Sequence, residues 1–183
     1  MTIKGMLLSL LAIGLALALG SPGSADDAMP TPEDMGLGYS ITAGAAIAVK
    51  NGVRNSNSPT VGIGWYGPMN EANFGDMASL GLTGDWIGIK RADDQNVSLI
   101  PILLNYKQSA ILSSYRVFVN LGVGIRFASD NLPEMRIEDG TSFCWTAGVG
   151  IDVTNRLFGN FRFIGGQNPG DDGLMGVELG YRF

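Results

Sequence analysis

From Leu37 to the C-terminus, bulky apolar positions alternate with small or polar ones, the period of two that marks a β-strand. In the first segment Leu37, Tyr39, Ile41, Ala43, Ala45, Ile47 and Val49 share one face, with Gly38, Ser40, Thr42, Gly44, Ala46 and Ala48 on the other. The clearest segment sets Tyr115, Val117, Val119, Leu121, Val123, Ile125 and Phe127 against Arg116, Phe118, Asn120, Gly122, Gly124 and Arg126. Phe143 to Val153 repeats it, with Cys144, Thr146, Gly148, Gly150 and Asp152 on the minor face. The last segment runs Met175, Val177, Leu179, Tyr181, Phe183 against Gly176, Glu178, Gly180 and Arg182. Weaker segments lie between. Thr60 to Tyr66 puts Val61, Ile63 and Trp65 on one face, and Leu157 to Gly165 places Phe161 and Phe163 opposite Asn160 and Arg162. Leu80 to Lys90 changes phase near Trp86-Ile87, which predicts a bulge. Val97 to Tyr106 is apolar on both faces and contains Pro101, so its register stays open. The pattern therefore predicts about eight strands and no sustained helix.

Turn chemistry agrees with the strand pattern. Asn51-Gly52 has the composition of a tight two-residue hairpin, and Asp152 to Arg156 reads as a short turn. Ala128 to Gly140 and Gln167 to Gly173 are longer, polar and acidic. Gly67 to Ala78 is longer than the turn expected between its two strands.

About eight antiparallel strands fit either a soluble barrel with an apolar interior or a membrane barrel with an apolar exterior. The two faces separate these readings. Eight strands leave an interior only wide enough for side chains, which suits the glycine-rich face carrying Ser, Thr, Asn, Arg, Asp and Glu. Bulky Val, Ile, Leu and aromatic residues then face lipid. A soluble carrier would need polar residues on that outer face, and the strong strands have none there. At about 3.3 Å per residue and a tilt of about 40°, Tyr115 to Phe127 rises roughly 30 Å, enough for an apolar band about 25 Å tall. Tyr39, Trp65, Tyr115, Tyr181 and Phe183 fall at one predicted rim and Phe127, Phe143 and Trp145 at the other. The fold class is thus all-β: a closed, antiparallel, up-and-down transmembrane β-barrel over residues 37–183.

The N-terminus adds an address. Lys4 precedes an uncharged apolar run from Met6 to Gly20, and Ser21 to Ala25 supplies small residues with Gly23 and Ala25 at −3 and −1 of a cleavage site. This is the order of a secretory signal peptide over residues 1–25, and its apolar run is shorter than the roughly 20 residues of a spanning helix. Residues 26–36, with Pro30, Pro32 and four acids, read as a flexible periplasmic lead-in.

The ending Val177-Glu178-Leu179-Gly180-Tyr181-Arg182-Phe183 resembles the C-terminal insertion signal of bacterial outer-membrane barrels. Its elements are Val177, Leu179, Tyr181 and the terminal Phe183. Val119 to Ile125 and Ala147 to Asp152 are similar to glycine-rich strands of the small eight-stranded outer-membrane proteins, the group that includes the barrel of outer-membrane protein A. The resemblance implies residence in the bacterial outer membrane, contact with its lipids, and recognition of the last strand by the barrel-assembly machinery. It also implies a monomer with a structural or surface-contact role.

Candidate chemistry lies on the inward face. Arg116 should meet Asp152, and Arg162 should sit opposite Glu178, because a charge in a narrow interior is costly unless paired. Arg126, Arg182, Asn120 and Cys144 point the same way. The expected outcome is an interior filled by small and paired charged groups; the alternative is a narrow channel or carrier for small solutes. Composition removes other classes. The chain has 183 residues, no histidine, one cysteine and a net charge of −5. No Ser-His or Cys-His pair is possible, and no disulfide within the chain. The acyltransferase and deacylase barrels that modify lipid A use a histidine-dependent site. The acidic balance gives nucleic acid no basic face. Asp93, Asp94, Asp130, Glu134, Glu138, Asp139, Asp171 and Asp172 are acids of the presumed outer loops, without the ligand spacing of a calcium loop. No metal or cofactor is expected. A soluble periplasmic barrel remains the reading that detergent-dependent extraction would test.

Overall fold

A computed structural model describes residues 37–48, 58–69, 78–90, 95–112, 115–135, 137–166 and 173–183. The segments assigned to the signal peptide, the lead-in and the Asn51-Gly52 turn lie outside the described residues, as do Gly67 to Ala78 and Gln167 to Gly173 over most of their length. Eight strands follow in chain order: β1 Gly38–Ala48, β2 Ser58–Pro68, β3 Ala78–Lys90, β4 Asn96–Leu112, β5 Tyr115–Ala128, β6 Gly140–Asp152, β7 Leu157–Gly166 and β8 Leu174–Arg182. Each pairs antiparallel with the next, and β1 closes on β8 through partners running from Ser40↔Arg182 to Ala48↔Leu174. Closure leaves no sheet edge, the condition a sheet must meet in hydrocarbon. Gly38 and Gly140 open β1 and β6 at φ of 101° and 87°, a left-handed start that glycine adopts without strain.

Alternation along each strand sorts the side chains. Ile41, Val61, Leu82, Leu104, Leu121, Ile151 and Leu179 are exposed on the outside, whereas Ser40, Thr60, Asp85, Asn105, Asn120, Asp152 and Glu178 are buried within. Three outward indoles lie across glycines. Cβ atoms built on Gly67, Gly88 and Gly165 would stand 2.7, 2.7 and 2.5 Å from the rings of Trp65, Trp86 and Trp145. Each glycine leaves the flat recess in which its ring lies. Trp86 donates its Nε1–H to the Ser98 hydroxyl and Trp145 to the Gly166 carbonyl, at 3.1 and 3.0 Å, so these polar tips are satisfied on a greasy surface.

The predicted bulge at Trp86-Ile87 is absent. Thr60↔Ile87 and Val61↔Trp86 continue the β2–β3 register unbroken, and on the other side Gly84↔Ile102 and Ile87↔Leu99 keep one frame across Pro101. Proline lacks an N–H, and the ladder skips two pairs there, Asp85 with Pro101 and Trp86 with Ile100, without gaining a residue. What changes along β3 is the chemistry of the inside. Gly81, Thr83 and Asp85 give way to Ile87 and Ile89, both 1% exposed and inward. β4 likewise alternates, with Val97, Leu99, Pro101, Leu103, Asn105 and Lys107 all buried inward. One end of the interior is apolar.

Candidate functional site

The interior divides into a polar stretch and an apolar cap. In the polar stretch Arg162 of β7 is the hub. Its Nη1 donates to Asp85 Oδ2 of β3 at 2.7 Å and its Nη2 to Glu178 Oε1 of β8 at 2.5 Å. Glu178 also accepts from the Thr60 hydroxyl at 3.3 Å and the Asn160 amide at 3.5 Å. A second cluster centres on Asp152 of β6, bound by Arg116 Nε and, at 2.6 Å, by Arg182 Nη2. All six charged partners have side chains no more than 9% exposed. Such pairs add little net stability, because taking the charges out of water offsets most of the attraction, but losing one partner is costly.

Glycine makes room for these groups. Arg162 has Gly148 and Gly176 as its cross-strand neighbours. A Cβ on Gly62 would come within 2.0 Å of Asp85 Oδ1, and one on Gly148 within 2.3 Å of Asn120 Oδ1. Aromatic rings fill the rest of this level. Phe118 and Phe158 meet edge to face at 6.0 Å, the Lys107 ammonium stands 4.6 Å from the Tyr66 ring centre, and the Arg182 guanidinium 4.4 Å from that of Phe158. The cations keep an electrostatic partner where water is scarce.

The apolar cap comes from the β5–β6 connection. After β5, Ser129 returns to β4, where its N–H donates to the Ser98 carbonyl and its hydroxyl accepts from the Ser98 N–H, both at 3.0 Å. A single 3-10 turn at Pro133–Met135 follows, and Leu132 and Ile137 bond to each other through both backbone groups. Leu132, Met135 and Ile137 are thereby turned inward, at 0%, 0% and 2% exposure. They pack on Ile87 and Ile89 of β3, Val97 and Leu99 of β4, Ile164 of β7, Leu174 of β8 and Ala46 of β1. Arg126 borders this cluster and donates its Nε–H to Ser142 at 2.8 Å.

No protein-family model matches the sequence, and no curated protein matches it either. Solved structures do. Neisserial surface protein A superposes with a TM-score of 0.56 at 16% identity, over 81% of this chain and 97% of that one. The Yersinia pestis outer membrane protein Ail, in a phospholipid bilayer nanodisc, gives 0.51 at 13% identity, over 80% and 99%. The outer membrane enzyme PagL gives 0.50 at 15%, over 78% and 96%. The fold is that of the small outer-membrane β-barrels. At these identities the likeness concerns the barrel and leaves the site to be read from its own residues.

Among the residues singled out in the sequence, Arg116 and Asp152 are direct cross-strand partners and form an ion pair. Arg162 and Glu178 also pair, but not by facing each other. Glu178 is level with Asn160 and Arg162 with Gly176, so the contact is diagonal. Arg182 joins the Asp152 cluster, whereas Arg126 lies apart at the cap. Cys144 is inward and fully buried. Val177, Leu179 and Phe183 are outward and exposed, with Tyr181 stacked edge to face on Phe183. Among the described residues, no three His, Cys, Asp or Glu side chains converge as a metal site would need.

Sequence reasoning missed Asp85, Lys107 and the cap. Asp85 continues the odd-numbered run of Gly81 and Thr83, a signal that the supposed change of phase obscured. Leu132, Met135 and Ile137 are the apolar trio of an otherwise polar loop, and only their burial separates them from ordinary surface residues.

Proposed function

We propose that this protein is a closed barrel of the bacterial outer membrane whose role is non-enzymatic: it holds its outer loops at the cell surface and supports the envelope. One observation carries the reading. The interior is blocked twice, by the Asp85–Arg162–Glu178 bridge across the barrel and by Leu132, Met135 and Ile137 seated in one mouth. A passage would need an open axis, and eight strands leave little space to spare. The chain enters the envelope behind a cleaved leader at residues 1–25, and Val177, Leu179, Tyr181 and Phe183 present the terminal strand to the assembly machinery. The absence of histidine from the chain separates it from histidine-dependent hydrolysis. Likeness to a Neisserial surface protein and to the outer membrane protein Ail supports residence and surface role, while PagL is an enzyme on the same scaffold.

The test is refolded mature chain in a planar bilayer, with heat-shifted gel mobility as the check on folding. The expected record is silent for the wild type and for Glu178→Gln. Regular single-channel steps from the wild type would replace this reading with the narrow-channel one.

A further inference from the structure

The greasy outer face carries a hollow. A groove of about 570 Å³ lies over β4, β5 and β6, between Tyr106 on one side and Trp145 on the other, with Leu121 and Val123 along it. That volume falls within the roughly 300–1,000 Å³ of sites for small organic ligands. Ala147 gives it depth, because a short side chain stands level with Leu121 and beside Trp145. Gly122 and Thr146 also line it. Thr146 points inward, its hydroxyl donating to the Phe163 carbonyl at 2.9 Å, so both residues offer the groove backbone as a floor. Two aromatic rings large enough to fill the groove are held off it. The Trp145 ring is turned toward β7, across Gly165 and hydrogen-bonded to the Gly166 carbonyl. The Tyr106 hydroxyl donates to Gln108 Oε1 at 2.5 Å, which draws its ring toward the end of β4 remote from the cap. None of the described residues lining the groove is charged.

We infer that this groove seats one acyl chain of a phospholipid, whose glycerol end lies at the Tyr106–Gln108 pair. The inference rests on the reading that the outer face meets lipid. A groove continuous with that face is covered by what covers its surroundings, and an uncharged hollow suits a hydrocarbon chain. Tyrosine suits the junction with the headgroup, its ring toward the chain and its hydroxyl toward the ester. In the proposed orientation the cap closes the outer mouth, so the remote end of β4 faces the periplasm and the lipid belongs to the periplasmic leaflet. A second copy of this chain fits less well. A two-fold dimer through this face sets the groove against itself, one hollow facing another.

The experiment uses the full mature chain refolded into vesicles of phosphatidylcholine, part of it carrying a diazirine in the middle of one acyl chain. After irradiation the adducts are mapped by peptide mass spectrometry. The expected result is adducts concentrated at Tyr106, Leu121, Val123 and Trp145, above the level at the more exposed Val61, Ile63 and Leu179. Ala147→Phe fills the groove and should abolish that enrichment, whereas Val61→Phe on β2 should leave it in place. If Ala147→Phe does not fold, the wild-type map decides alone. Adducts spread evenly around the outer face would overturn the groove site while leaving that face in lipid. An outer face without adducts would overturn lipid contact itself. Groove residues without adducts, in dimers that Ala147→Phe splits, would seat a second copy there and overturn the proposal as well.

Discussion

Arg162→Met is expected to destabilise the barrel by about 3–5 kcal/mol, the usual consequence of stripping one partner from a buried ion pair. The substitution keeps much of the side-chain volume but leaves Asp85 and Glu178 without their shared cation, Glu178 retaining the donors Thr60 and Asn160. The accompanying test of cause is the triple variant Arg162→Met, Asp85→Asn, Glu178→Gln. With no unpaired charge left inside, it should recover most of the loss, so the three changes are strongly non-additive. Urea midpoints of the refolded proteins measure both. A triple variant as weak as the single one would show that Arg162 acts through packing rather than charge.

The second large effect belongs to the outer face. Leu121→Arg, near the middle of β5 and exposed on the outside, should cost about 2–4 kcal/mol in phospholipid vesicles, whereas Phe127→Arg near the strand end should cost about 0–1 kcal/mol. Both sites carry large exposed apolar groups, so burial in protein does not distinguish them; depth in hydrocarbon does. Equal costs at the two positions, or none at either, would mean that this face does not meet acyl chains.

The sequence was easiest to read where the two faces differ in chemistry. In β5, β6 and β8 the outward residues are mostly large and apolar and the inward ones mostly glycine, hydroxyl, amide or charge, with Phe118 and Cys144 as exceptions, so a period of two assigns the faces. β3 and β4 resisted the same reading because Ile87, Ile89, Val97, Leu99 and Leu103 point inward and are as apolar as their outward neighbours. There hydrophobicity loses its directional content, and only a continuous count from Gly81 keeps the frame. The charge network was legible for Arg116 and Asp152, because the unbroken alternation of β5 and β6 sets both on the inward face and direct cross-strand pairing holds them level. It was less so for Arg162 and Glu178, whose relative height depends on the connection between β7 and β8. Asp85 reaches Arg162 across the barrel, a contact between strands that are not neighbours. No local pattern encodes such a contact. The cap was hidden for a different reason: a loop residue's direction is set by where its loop folds, and hydropathy does not record that.

Tryptophan fluorescence shows most directly whether the greasy face meets lipid. All three tryptophans, Trp65, Trp86 and Trp145, lie on the outer surface at 47%, 42% and 37% exposure. The wild-type chain, refolded into vesicles of phosphatidylcholine brominated on its acyl chains, reports their surroundings without any mutation. Tryptophan emission should be strongly quenched relative to unbrominated lipid, and little quenched by aqueous iodide. Emission indifferent to the brominated lipid and quenched by iodide would contradict lipid contact at this face.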